Sequence, residues 1–528
     1  MPPLGIDCFP DYTEIVFRWG APPTSIAVSW GRERCSIDPR VALHFLRSGD
    51  PGTHVQGGAD HVPALRRRTW PRHGPGRPVA RRGTGGLGRV DGCQLDARPG
   101  ARSGRAGAGA PRIHRPGRGP PGADRLPALR VVSGRQRRAL SNIDGPVEVF
   151  GDPLVGALLR TAFDACRAPM EAASPIHGFH TYPARMHPKM AEVLVGAFAS
   201  AGDVVLDPFC GGGTVVVEAR LAGCRALGAD LSPLAVRIAA VRSDPGTRAM
   251  RGDLLRAASD VARSVREGRA PRFRIPRREV SWYAPHVLGE LSALRGAIGG
   301  VRHGWLRERL LLVFSSLVVK ASSQRADTAA RRVERRLPRG AVTRWFEART
   351  KELVSALEHL AAAISRGTPP AHFVRADART IDEVFGRHAV DLVLSSPPYG
   401  GTYDYVDHHA RRYPWLGIDP RRFEDAEIGA RRRSRASPVA AFDGEVEAYL
   451  RALGRVARPT GHVVLLLGDG RWAGRRIDVR RQIERLAPPA GLVPRAWARQ
   501  PRPGFDGTGR RFEWLVALEP VRRAARGD

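Results

Sequence analysis

The chain has 528 residues, more than one ordinary domain, so a large core plus at least one appendage is expected. Its net charge of +33 points toward nucleic acid, but half of it sits between His61 and Leu140. Only three of the 85 basic residues are lysines, a bias that a GC-rich coding sequence produces by itself, so basicity alone is a modest argument for that partner. Six cysteines without a CxxC spacing argue against a disulfide framework and a structural zinc site. No apolar run is long enough to span a bilayer and the first residues lack a signal-peptide pattern, so a soluble cytoplasmic protein is expected.

In chain order, Thr13–Arg18 and Ser25–Ser29 alternate as two strands of a small amino-terminal module over residues 1–60. Residues 61–140 are rich in Arg, Gly, Pro and Ala, with Trp70 their only aromatic residue. That composition reads as a disordered segment or a shifted reading frame in preference to a nucleic-acid-binding arm, which would interleave aromatic residues to stack on bases. Helical spacing returns at Leu154, Leu158 and Phe163, and again from Met190 to Phe198. Strands are expected at 204–206, 226–229, 373–374, 390–394, 462–467 and 512–518, alternating with helices. This predicts an α/β, doubly wound, mostly parallel sheet of Rossmann-like type, split into residues 141–250 and 369–520. Between the two parts, residues 251–368 carry three apolar stripes, on Val287–Ile298, Leu306–Leu317 and Phe346–Ile364, and form a helical insertion suited to target recognition.

Two stretches carry chemistry. The first, Asp207-Pro-Phe-Cys-Gly-Gly-Gly-Thr214, closes one strand and opens a helix; its glycines permit a tight turn and close backbone approach to a nucleoside. Asp230, at the end of the next strand, stands where an acid accepts from ribose hydroxyls; its plainer reading is a helix cap. The loop lacks the GxGxxG order of a dinucleotide site. The second stretch, Ser396-Pro397-Pro398-Tyr399, follows an apolar strand. The Ser396 hydroxyl and Pro397 carbonyl can hold the hydrogens of a conjugated amine and draw its nitrogen toward tetrahedral geometry, while Tyr399 stacks on the base, flipped out of a duplex. No cysteine follows a proline, which disfavours the covalent route to carbon-5 of cytosine.

DPFCGGGT, then Ala229-Asp-Leu-Ser-Pro233, then SPPYG, preceded by His177-Gly-Phe-His-Thr-Tyr-Pro-Ala-Arg-Met-His-Pro188, resembles the S-adenosylmethionine-dependent nucleic-acid amino-methyltransferases. The resemblance covers roughly residues 173–520. It implies S-adenosylmethionine as cofactor, its methionine end near Tyr182, Asp207, Phe209, Gly211, Gly213 and Thr214, its ribose on Asp230, and its adenine near Asp377 in preference to Asp253. It implies catalysis by Ser396, Pro397, Pro398 and Tyr399, with no metal. The partner implied is nucleic acid, DNA before RNA, with restriction–modification as the setting and no membrane role. A serine at the head of the turn resembles the cytosine-N4 enzymes, whereas the order of the motifs is shared with adenine-N6 and tRNA guanine-N2 enzymes, which stay open as alternatives beside a degenerate relative that only binds. After the turn, Tyr403, Tyr405, His408, His409, Arg411, Arg412 and Trp415 mix aromatic and basic residues suited to a base pocket and phosphates, or to a packed loop with solvated arginines.

Overall fold

The computed structural model describes residues 145–167, 173–183, 185–327, 329–503 and 510–521, together with three strands nearer the amino terminus. Residues 61–140 lie outside the described residues. The amino-terminal unit pairs β1 (Thr13–Trp19) with β2 (Thr24–Trp30) antiparallel, Val16 opposite Ala27, and adds β3 (Val55–Gln56) parallel to β2.

The second unit opens with β4 (Glu148–Gly151) and α1 (Pro153–Ala165). Asp152 caps α1, its Oδ1 accepting from the N–H groups of Leu154 and Val155 at 3.0 Å each, with Pro153 pre-setting the first turn. Then come α2 (Pro188–Phe198), β5 (Val204–Asp207), α3 (Thr214–Leu221), β6 (Arg225–Asp230) and α4 (Pro233–Ser243). The insertion follows as α5 (Arg248–Arg266), α6 (Pro285–Gly299), α7 (Gly304–Ala321), a hairpin of β7 (Gln324–Ala326) and β8 (Ala329–Arg332), and α8 (Ala341–Ala363). The chain returns through β9 (His372–Arg375), β10 (Val390–Ser395), α9 (Val439–Val456), β11 (Ala457–Gly468), a second hairpin of β12 (Gly470–Trp472) and β13 (Arg475–Ile477), α10 (Val479–Leu486), β14 (Leu492–Pro503) and β15 (Arg510–Pro520).

The central sheet runs β4-β14-β15-β11-β10-β5-β6-β9. Its five strands from β11 to β9 are parallel, as expected of buried apolar runs, while β15, β14 and β4 are antiparallel. From β5 the chain winds outward through β6 and β9, then returns to lay β10 and β11 on the other side of β5. The switch point therefore lies between the carboxyl ends of β5 and β10, where an open α/β sheet holds its ligand. It joins Asp207 to the 396–399 turn.

Sequence reasoning did not find β14, because Pro494, Pro501 and Pro503 argue against a strand. The sheet accommodates them: the register slips between Pro494 and Ala496, and Pro501 and Pro503 lie beyond the residues paired with β4. The three stripes of the insertion do fall on α6, α7 and α8, but they share one core with Leu234 and Ile238 of α4 and with Tyr182, Tyr413 and Trp415. The insertion is thus built onto the sheet's own helical layer. Among the described residues no helix is long and apolar enough to cross a membrane.

Candidate active site

The glycine loop is shaped by what it must clear. Gly213 has φ +77°, and a β-carbon there would stand 2.8 Å from Ala239 of α4, so only glycine lets α3 start while packing this close. The Tyr182 ring lies over Gly211. Two carboxylates hold the loop from either side. Asp207 Oδ1 accepts from the Phe209 N–H at 3.1 Å and from the Ser395 hydroxyl at 2.6 Å. Asp230 accepts from the Gly211 N–H at 2.9 Å with one oxygen and from the Ser232 N–H at 2.9 Å with the other. Burial pushes Asp207 up to about 7 and Asp230 up to about 6, and among the described residues no cationic side chain offsets the loss of water.

These groups line a cavity that opens to solvent. Of the residues singled out from sequence, the cavity brings together Tyr182, Asp207, Phe209, Gly211, Thr214, Asp230, Asp377, Ser396 and Pro398. Gly213, Pro397 and Tyr399 are not in its lining. Asp377 caps the short turn 378–380 and is forked by Arg379, with 2.5 Å between Oδ2 and Nη2. Asp253 lies away from the cavity, on α5, 46% exposed and paired with Arg256. Thr214 Oγ1 is buried without a hydrogen-bond partner at the first turn of α3. Among the described residues the lining holds four acids, Asp207, Asp230, Asp377 and Glu427, and no lysine, arginine or histidine.

Tyr399 departs from the expected stacking ring. It is 7% exposed, its phenol donates to Glu513 Oε1 at 3.1 Å, and the Arg502 guanidinium stands 5.1 Å from its ring centre. The cause is the antiparallel pair β14 and β15, which sets Arg502 and Glu513 beneath the turn; no local pattern in the sequence carries that placement.

In the segment after the turn Tyr405 lines the cavity, whereas Arg411, Arg412 and Trp415 depart from the expected placement. Arg411 pairs with Glu279 at 2.6 Å and lies 3.9 Å over Trp282. Arg412 is buried and pairs with Asp327 at 2.5 Å, and Trp415 is fully buried. These arginines are spent on internal carboxylates, not on phosphates. Residues that sequence reasoning missed take up the cavity wall, among them Tyr413, Phe423 and Glu427. Glu427 accepts from the Tyr405 N–H at 2.7 Å and from Arg432 at 2.6 Å, and burial raises its carboxyl above the usual range. Tyr405 stacks beside Tyr182, centroids 6.1 Å apart and 19° between planes. Glu427 sits in no recognisable motif; the Tyr403–Tyr405 cluster was the available signal.

Residues 162–241 match the family model described as DNA methylase, of the N6 and N4 amino-methylating type. Among curated proteins the chain is similar to the type II methyltransferase M.MjaII of Methanocaldococcus jannaschii, 20% identical over a 356-residue alignment that covers 49% of this chain and 65% of the relative. It is similar to the type II methyltransferase M.MvaI of Kocuria varians, 25% identical over 270 residues, covering 46% and 58%. It also matches the tRNA (guanine(10)-N2)-dimethyltransferase of Methanothermobacter thermautotrophicus, 49% identical over 51 residues, covering 10% and 15%. The chain spans less than two thirds of the length of each of these three relatives.

Proposed function

We propose that this chain, similar over residues 162–241 to the DNA methylase family model and more distantly to type II methyltransferases, is a DNA amino-methyltransferase that transfers a methyl group from S-adenosylmethionine to an exocyclic amine of a DNA base, cytosine N4 first among the targets. One observation carries the reading: two carboxylates without cationic partners, Asp207 and Asp230, line the same cavity as the Ser396–Pro398 end of the turn, with no basic side chain beside them. A ligand bearing a positive charge fits that wall, whereas the pyrophosphate of a dinucleotide would meet acids.

The cofactor supplies an electrophilic methyl on a sulfonium. Asp230 holds its ribose hydroxyls, Asp207, Tyr182 and the unpartnered Thr214 hydroxyl hold its methionine end, and Asp377 stands by its adenine. Ser396 and the Pro397 carbonyl accept the hydrogens of the target amine and turn its lone pair toward the methyl. No covalent enzyme intermediate is required.

Nucleosides from DNA and tRNA of expressing and non-expressing cells, resolved by mass spectrometry, test the reading. N4-methylcytosine in DNA is the expected mark. N6-methyladenine keeps the chemistry of the turn and changes the base. Methylguanine in tRNA alone moves the function to the second reading, which the 51-residue tRNA-enzyme match favours, and no mark in either nucleic acid overturns the proposal.

Cofactor binding should depend on pH. Asp207 at the methionine end and Asp230 at the ribose hydroxyls accept most strongly as carboxylates, and their raised values, about 7 and about 6, mean that binding releases protons. Affinity is expected to tighten as pH rises through that window and to level off above it. The ligand-free fold shows the opposite sign. Because the folded state holds these protons more tightly than the unfolded chain, their contribution to stability is lost as pH rises from about 4 to about 7. Asp230→Ala should weaken the cofactor by roughly tenfold or more, the ~1.5–3 kcal/mol of a lost charged acceptor. Calorimetric titration at several pH values checks both; a flat profile or an unchanged Kd in the folded variant removes Asp230 from the site.

A further inference from the structure

Beneath the 396–399 turn lies a buried acid that the reading above does not use. Glu513 on β15 is 1% exposed, with Gly468 of β11 and Gln500 of β14 opposite it in the sheet. Its Oε1 accepts the Tyr399 phenol proton at 3.1 Å, and its Oε2 is buried without a hydrogen-bond partner among the described residues. Gln500 does not fill that gap, because its amide donates to the Gly145 carbonyl at 3.1 Å. The other charged or titratable groups facing the carboxyl are Arg502 from β14 and Tyr403 from the segment after the turn. Arg502 also donates to the Asp469 carbonyl at 3.0 Å.

The slot for Tyr399 is built. A β-carbon on Gly468 would stand 2.6 Å from the phenol ring, so the absence of a side chain there admits the ring to the acid. Above it, Ser396, three residues earlier in the same turn, lines the cavity. The turn thus begins with a hydroxyl residue on the cavity wall and ends with a phenol that donates to a buried carboxylate, Tyr399 to Glu513 at 3.1 Å.

We propose that Ser396, Tyr399 and Glu513 form a relay that draws the surplus proton off the target amine, with Glu513 as its terminus. The proposal rests on the amino-methyltransferase reading. In the transfer, the amine lone pair forms the new N–C bond and the methyl–sulfur bond breaks, its electron pair remaining on sulfur as a neutral thioether. The nitrogen then carries one proton too many and a positive charge. That proton passes to Ser396 Oγ, the serine proton to the Tyr399 oxygen, and the phenol proton to Glu513 Oε1, leaving a neutral methylated amine and a neutral carboxylic acid. When product leaves, the same path run backwards returns the proton to water entering the cavity. Glu513 touches no substrate and is a positioning residue that acts through the two groups above it.

Burial raises the Glu513 carboxyl to about 7 even though Arg502 and the phenol hydrogen bond act to lower it. The relay needs the ionised form, so kcat of the parent should rise through about pH 7 and flatten above it.

Glu513→Gln separates the relay from a purely structural contact. Glutamine keeps an oxygen that can accept the Tyr399 phenol, so a structural role survives the change; it cannot take up a proton. The expected result for full-length protein, assayed with tritiated S-adenosylmethionine on a cytosine-containing duplex, is a fall in kcat of about 10²-fold and loss of the limb near pH 7, with cofactor Kd within about twofold of parent. Tyr399→Phe should give the same loss of limb. An infrared difference spectrum between parent and Glu513→Gln, followed from about pH 6 to about pH 8, should show a carboxyl that ionises near neutrality, and this readout does not depend on turnover. Parental kcat in Glu513→Gln, a limb that persists in it, or no titrating carboxyl overturns the relay and leaves the enzyme reading standing. A parent that methylates no nucleic acid overturns that reading and the relay with it.

Discussion

Replacing Ser396 with alanine is expected to cut methyl transfer by roughly 10²–10³-fold while leaving cofactor affinity nearly unchanged, the signature of an interaction that strengthens only as the amine reacts. Ser396 supplies a hydroxyl to the cavity wall from the turn itself, whereas the acids assigned to the cofactor come from β5, β6 and the turn after β9. Its neighbour cannot substitute, since the Ser395 hydroxyl is buried and donates to Asp207 at 2.6 Å. Single-turnover transfer to duplex DNA, paired with a calorimetric titration of the cofactor, measures the two halves separately. A variant that transfers at the parental rate would show that the turn's first residue holds no amine hydrogen.

The second large effect is on the fold. Arg242→Leu is expected to lower the unfolding free energy by about 3–5 kcal/mol, as when one partner of a buried charged contact is removed. Arg242 on α4 is fully buried and donates to the Gly212 carbonyl at 2.7 Å, to the His177 carbonyl at 3.1 Å and to the His180 carbonyl. One guanidinium thus ties the glycine loop to the segment that carries Tyr182, and burial pulls its own pKa well below the ordinary value. Leucine orphans the Gly212 and His180 carbonyls, whereas the His177 carbonyl keeps the Arg185 guanidinium. Lysine should not rescue, because a single ammonium lacks the planar fork that spans them. Denaturant unfolding followed by tryptophan fluorescence gives the shift in midpoint; a midpoint equal to the parent's would mean that the loop and the 177–188 segment hold together without it.

What the sequence determined by itself is local. A strand that ends in an acid, a glycine turn and the first turn of a helix lie within about ten residues, and that unit forms wherever its apolar strand is buried. The parallel strands were legible for the same reason, as were the three helical stripes of the insertion, whose spacing matches the turn of a helix. So Asp207, Asp230, Asp377 and Ser396 could be named before their meeting in one cavity was seen.

Tertiary structure decided everything that depends on partners distant along the chain. Whether Arg411 and Arg412 face phosphate or a buried acid is set by Glu279 and Asp327, more than 80 residues away in each case. A run of arginines reads the same either way. The three prolines of β14 concealed a strand whose neighbour β15 supplies its pairing, and only through that pair do Arg502 and Glu513 come to lie beneath Tyr399. The physical reason is that charge and aromatic type are properties of a residue, whereas burial and pairing belong to the sheet register that brings residues together.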